Sequence, residues 1–282
     1  PLACFSRTAW DLKGDVKPLA ILTKKKWILV YVCCDTSHII HFTYHKKSEA
    51  YQSVRPFLQA CHKNGWKVKH MHSDFDSLWQ HRPSDKVVRK FRNEIDKVGL
   101  ELWKFSISVT YSFKNPQDNQ VAELAILKTT TAANSLLINK MLHGSFWELG
   151  FSLAVRILTN LVNPNHFDPR MRTKTPCQVF SGSRQGSIDA AHMQIFGSQV
   201  LVVADRVRPG QFGHKVVKPG QRIWVGFPED PVTGEVSVPR GALTYRLNPA
   251  KLELATHYWI IEKSQLEIAT SLIDMEKNVL RP

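Results

Sequence analysis

The chain has 282 residues, long enough for one large domain or two smaller ones, and 43% of them are hydrophobic, which excludes wholesale disorder. Lysine and arginine outnumber the acids 38 to 24, and a formal net charge of +14 favours a polyanionic partner. A membrane is the rival partner, but no basic amphipathic helix is visible and no apolar run approaches the ~20 residues of a bilayer span.

The start, "PLACFSRTAWDLKGD", lacks the basic flank and long apolar region of a signal peptide. It also lacks an initiator methionine, so a piece of a longer protein is expected. A short strand is expected around Trp10. "WILVYVCCD" is an apolar, β-branched run of strand length, and "HIIHFTYH" reads as its hairpin partner. "SEAYQSVRPFLQACHKNG" has helical spacing, with Ser48 and Glu49 at its start and Asn64-Gly65 as its stop. Pro56 interrupts it. "WKVKHMHSD" alternates like a strand, "DKVVRKFRNEIDKVG" is amphipathic, and "ELWKFSISVTY" is a further strand. A long helix follows from Val121 to about Leu142, and "FWELGFSLAVRILTNLV" gives another. A three-strand meander followed by alternating helices and strands predicts a mixed α/β sheet covered by helices.

Near residue 165 the texture becomes loop-rich. From "MQIFGSQVLVV" onward, short apolar runs alternate with Gly and Pro turns, which suggests a small β module. The last segment is expected to add a strand and a final helix. There is no internal repeat and no low-complexity tract.

Five cysteines without a CxxC suggest neither a disulfide framework nor a zinc knuckle, and a reducing compartment is the default. His38, His41 and His45 invite a metal reading. In an alternating strand, however, His38 and His41 point to opposite faces, which favours packed or solvent-facing histidines.

Acids at the ends of predicted elements can converge on one cleft. Asp11 in "AWDLKGD", Asp74 at the tip of "KHMHSD" and Glu123 in "QVAEL" are such acids. Glu123 is also what the dipole of a helix start favours on its own. Three carboxylates from distant segments can hold two Mg²⁺ ions, because magnesium takes hard oxygen ligands. Two such ions activate an attacking oxygen and stabilise a leaving one at a phosphodiester, chemistry that suits DNA and a basic chain.

The flanks of these acids resemble the integrases of copia-type (pseudoviral) LTR retrotransposons. "AWDLKGDVKP" is similar to the turn that carries their first Asp, and "WILVYVCCDTSH" to their "YFVTFVDDYSR" strand. "KKSEAYQSVRPFL" resembles their "KSE" and following helix. "MHSDFDSLW" resembles "LRSDNGGEF", and "PQDNQVAEL" resembles "PQQNGVAER". Further on, "FWELGFSLAVRILTNLV", "KTPCQVFSG", "MQIFGSQVLVV" and "GQRIWVGFPEDPVTGEVSV" follow the family's order, so that about residues 5 to 245 are covered.

The resemblance implies a ribonuclease-H-like α/β core at 5–160, a linker at 161–192, an SH3-like β module at 193–247 and a C-terminal extension at 248–282. It implies 3′-end processing and strand transfer of element DNA into target DNA by a homo-oligomer in the nucleus, after a cytoplasmic particle stage, with no membrane and no small-molecule substrate. Asp11, Asp74 and Glu123 would be catalytic and would hold two Mg²⁺ or Mn²⁺ ions, with Asn119 as a neighbour. Asn119, Lys128 and Lys140 would contact DNA. Asp35 sits where the family also has an acid that is not a ligand, and a structural role is expected. Lys24, Lys25 and Lys26 read as a solvated loop or a DNA contact. The tryptophans, Trp103 and Trp147 among them, read as core.

The chain departs from the pattern. "DNGGEF" becomes "DFDSLW", losing both glycines and an acid that Asp76 could partly replace. "NGVAER" becomes "NQVAEL", and Asp74 and Glu123 stand further apart than is usual for the family. The alternative is therefore a catalytically decayed or domesticated DNA-binding protein, and a third reading is a plain nuclease of the same fold.

Overall fold

The computed structural model describes residues 4–74, 105–112, 119–182, 194–202, 221–227, 241–255 and 258–261. Two five-stranded sheets organise them. The first contains β1 (Arg7–Lys13), β2 (Trp27–Cys33), β3 (Ile39–Tyr44), β4 (His70–Asp74) and β5 (Ser108–Ser112), in the order β3-β2-β1-β4-β5. β1, β2 and β3 pair antiparallel, and β1, β4 and β5 pair parallel. The sheet is therefore mixed, as the sequence pattern predicts.

Strand alternation divides this sheet into two faces. On one, Trp10, Leu12, Leu29, Tyr31, Cys33, Ile40 and Met71 join one apolar cluster. Helix α1 (Val54–Lys63) covers it through Val54, Phe57, Leu58 and Cys61. On the other, Ala9, Ile28, Val30, Val32 and Ile39 meet helices α2 (Gln120–Asn139) and α3 (Trp147–Thr159). Burial on both faces explains why β2 is a continuous apolar run rather than an alternating one.

The stretch around Pro56 resolves into two pieces. A 3-10 turn at Lys47–Ser53 gives way to α1 at Val54. Pro56 thus falls in the first turn of α1, where its missing N–H costs no hydrogen bond. Gly65 ends the helix with φ +77, a conformation glycine adopts without strain. A short helix α4 (Pro176–Ser181) is opened by Thr175, whose hydroxyl accepts from the Gln178 amide. The helix predicted over "DKVVRKFRNEIDKVG", Trp103, and the final helix lie outside the described residues.

The second sheet contains β6 (Gln199–Val202), β7 (Arg222–Gly226), β8 (Ala242–Arg246), β9 (Lys251–Ala255) and β10 (Tyr258–Ile261). Its order is β10-β6-β7-β8-β9, all antiparallel. It continues past residue 247, because β9 and β10 complete it. Val200, Trp224 and Tyr245 share the apolar cluster of α2 and α3, and Tyr245 meets Phe146 edge-on. Buried Arg222 is paired with Glu253 at 2.7 Å, which offsets the cost of burying its charge.

Candidate active site

β1 and β4 run side by side in the same direction, so both C-terminal ends emerge at one edge of the sheet. Trp10 pairs with Ser73. Asp11 and Asp74 therefore hold the next register position on adjacent strands, whose spacing is about 4.8 Å. Asp11 is half-buried and lies on the face of Ala9 and Lys13. That is the face of α2, because the Lys13 ammonium donates to the Thr130 hydroxyl of α2 at 3.3 Å. Oδ1 of Asp11 accepts from the Leu12 amide at 2.7 Å. Of Asp74 the backbone alone is described.

The start of α2 is fixed to this edge by Asn119. Its Nδ2 donates to the Trp10 carbonyl at 3.0 Å, and the residue is 1% exposed. Glu123 is four residues on, one turn up the same side of the helix. It is exposed and stands in the first turn, where the helix dipole also favours an acid. Three segments far apart in sequence thus bring the backbone positions of Asp11, Asp74 and Glu123 to one end of one sheet.

Oδ1 of Asn119 is buried and has no hydrogen-bond partner among the described residues. A buried acceptor left in that condition costs about 1–3 kcal/mol. Among the described residues no group of three His, Cys, Asp or Glu is assembled around a common point, and the Asp74 side chain is not among those residues.

The expected DNA contacts separate. Lys128 is exposed on α2, one and a half turns beyond Glu123. Lys140 caps the opposite end of the helix. At 1.5 Å per residue it lies about 25 Å from Glu123, so the fold does not bring it to the acids. By length and composition α2 could cross a bilayer, but it packs on the first sheet through Ala122, Ala125, Ile126 and Ala133.

The remaining candidates have structural partners. Asp35 pairs with Arg7 at the other end of β1. Lys25 donates to Thr43 at 3.0 Å and stands 3.6 Å from Glu148, and Lys26 pairs with Asp15 at 3.2 Å. His38 stacks on Phe180, whereas His41 bonds Ser152 of α3 at 3.0 Å, so they do occupy opposite faces. Burial pushes His38 down to about 3; it also pushes His41 down to about 4, helped by Lys25. Trp147 is buried and its indole N–H donates to the Pro18 carbonyl at 3.0 Å.

Sequence reading passed over His72, Ser108 and Thr110. The available signal was the pattern His70-x-His72-x-Asp74, which sets three polar residues on one face of a strand.

No protein-family model matches the chain, and no curated protein matches it by sequence. Among solved structures it is similar to one described as a cryo-EM structure of the simian T-cell lymphotropic virus intasome in complex with PP2A regulatory subunit B56 gamma. The identity is 14% and the TM-score 0.44, over 90% of this chain and 77% of that one. A likeness of that degree is too coarse to carry a conclusion about residues or chemistry.

Proposed function

We propose that this chain is the ribonuclease-H-like catalytic core of a copia-type retrotransposon integrase, followed by an SH3-like β module. Its activity would be metal-dependent polynucleotidyl transfer, trimming the 3′ end of element DNA and joining that end to target DNA in the nucleus. One observation carries the reading: Asp11 and Asp74 fall next to each other in register, and Asn119 ties the first turn of α2, with Glu123, to the same strand end. The ordered motif resemblance and the β3-β2-β1-β4-β5 sheet support it. The net charge of +14 supports a DNA substrate.

Asp11, Asp74 and Glu123 would hold two Mg²⁺ or Mn²⁺ ions, whose contribution is to acidify an attacking hydroxyl and to neutralise charge at a phosphodiester. Asn119 ties the start of α2 to β1 and would keep the acids in one place. Lys128 offers a cation to the DNA backbone on the same helix. Joining two ends calls for more than one subunit, so a homo-oligomer belongs to the reading.

The test is a strand-transfer assay. Purified protein is mixed with a labelled duplex bearing a recessed 3′ end and a supercoiled plasmid, in Mg²⁺ or Mn²⁺, beside Asp11→Asn and Glu123→Gln. Joined product from the parent and at least a thousandfold less from either variant supports the integrase. DNA binding without joining by the parent supports the decayed, DNA-binding alternative, and cutting without joining supports a nuclease.

A further inference from the structure

Asp11 and Asp74 stand at the C-terminal ends of β1 and β4. The opposite ends of the same strands carry a different chemistry. From Ala50 to Ser73 the chain holds no acid. Where α1 leads into β4, Lys67 and Lys69, the two neighbours of buried Val68, are exposed. Lys69 comes five residues before Asp74, about 17 Å along the strand.

The turn after α3 closes on this end. Met171 and Val68 belong to one apolar cluster, and the Trp66 indole N–H donates to the Phe180 carbonyl at 2.7 Å. The turn brings Arg172 and Lys174, both exposed, and an aromatic ring that the core does not use. Phe167 is 69% exposed. Its ring lies on buried His166, with centroids 4.4 Å apart and a tilt of 30°. His166 is fixed in turn. Its Nδ1 accepts from the Asp168 amide at 3.1 Å, and its carbonyl accepts from Arg172 Nε at 2.9 Å. The Phe167 ring is therefore supported on one side and open to solvent.

The cations here are not spent. Among the described residues Lys67, Lys69 and Lys174 make no side-chain hydrogen bond or ion pair, and Arg172 commits only Nε. Among the same residues the acids of this end, Asp35 and Asp168, are each held by an arginine of their own, Arg7 and Arg170. Those pairs cancel and leave the four cations uncompensated. Cations beside an open, supported ring suit a single strand of nucleic acid: phosphates meet the cations and an unpaired base stacks on the ring. A duplex keeps its bases stacked and has no face to offer Phe167. Exposed Leu161 and Val162 on the same turn make an apolar protein the rival, but covering four uncompensated cations with apolar surface is costly.

We infer that Phe167, Lys67, Lys69, Arg172 and Lys174 form a binding surface for single-stranded DNA at the end of the sheet away from the acids. That the strand is DNA rests on the proposed function; the stacking and the charge do not.

The experiment measures, by anisotropy, binding of the full chain to a short fluorescein-labelled oligothymidylate, an oligouridylate of the same length and a blunt duplex. It compares the parent, Phe167→Ala, Phe167→Tyr and the triple variant Lys67→Gln/Lys69→Gln/Lys174→Gln. Phe167→Ala, a surface substitution, is expected to bind the oligothymidylate about tenfold more weakly, the effect of losing one stacked base, with a smaller loss on the duplex. Phe167→Tyr should restore binding. The triple variant should lower the slope of log K against log salt by about two, at roughly 0.7 for each lost phosphate contact. No binding of the oligothymidylate by the parent, parent-like binding by Phe167→Ala, or a loss of the same size on the duplex overturns the surface. An unchanged salt slope in the triple variant does the same. Tighter binding of the oligouridylate overturns DNA as the strand. Failure of the parent to join DNA, with Phe167→Ala still weak on the single strand, overturns the enzymatic reading alone. Joining by the parent, with parent-like single-strand binding by Phe167→Ala, overturns this surface alone.

Discussion

The two faces of the first sheet are made from the same strands and serve different ends. On the α1 face alternate residues interlock: Tyr31 stacks on Phe57 with ring centroids 4.1 Å apart, and Phe5 meets Phe57 and Phe180 edge-on. On the α2 face, among the described residues, the sheet's apolar contact comes from β1, β2 and β3. Over β4 and β5 the side chains become His70, His72, Ser108 and Thr110. A strand needs only one apolar face to be held. The other face of β4 is then free to carry chemistry, and Asp74 stands at the end of that row.

The comparison breaks first where packing is densest. Phe57→Ala removes a fully buried ring from the α1 face and is expected to cost about 3–5 kcal/mol, read as a lowered urea midpoint. Thr110→Val on the polar row is expected to change stability by about 0.5 kcal/mol or less. Equal costs at the two positions would mean that the α2 side of β4 and β5 is a packed core like the other.

Both faces carry a buried neutral histidine, and acid should weaken both. The unfolded chain takes up protons near the ordinary histidine value of about 6.5. In the fold, His41 stays neutral down to about 4 and His38 to about 3. Below pH 6.5 the unfolded state therefore binds more protons, and stability falls as pH falls. Full stability lies above that value. The expected slope is about 1.4 kcal/mol per pH unit from each histidine. Urea unfolding between pH 6.5 and 5 reads it, and His41→Gln should halve the slope. A flat profile in the parent would mean that the rings are not sealed from water.

Asn119 tests the link between fold and site. Asn119→Ala removes the bond to the Trp10 carbonyl, but it also removes an acceptor that lacks a partner. The two terms offset, so the expected loss of stability is about 1 kcal/mol. Joining should fall far more, by about a hundredfold, because the start of α2 is then no longer held to the strand that carries Asp11. A joining loss no larger than the stability loss would leave Asn119 a purely structural residue.

Much of this was legible in the sequence, for physical reasons. The continuous apolar "WILVYVC" could only be a strand buried on both faces, and the opposite facing of His38 and His41 follows from a period of two. The adjacency of Asp11 and Asp74 was not legible from spacing, because a parallel register is set by residues some sixty positions apart and no local signal encodes it. The role of Asn119 was equally hidden. The resemblance marks Asn119 as a neighbour of the acids, but not that its amide donates to the Trp10 carbonyl of a neighbouring strand and makes no capping bond. The last segment reads as one further strand and a helix, whereas "KLELATHYWII" supplies two strands, β9 and β10, to the second sheet.

The smallest effect separates the two ends of β1. Asp35 accepts from Arg7, whose side chain is 62% exposed, so solvent screens the pair. Asp35→Asn should cost about 0–1 kcal/mol, less in high salt, and should leave joining unchanged. Asp11→Asn, four residues along β1 from Arg7, should leave stability nearly intact and remove joining. The two aspartates differ in what faces them: a guanidinium satisfies Asp35, whereas Asp11 shares its edge with Asp74 and the start of α2. Equal loss of joining from the two substitutions would falsify the assignment of the chemistry to the C-terminal ends of β1 and β4.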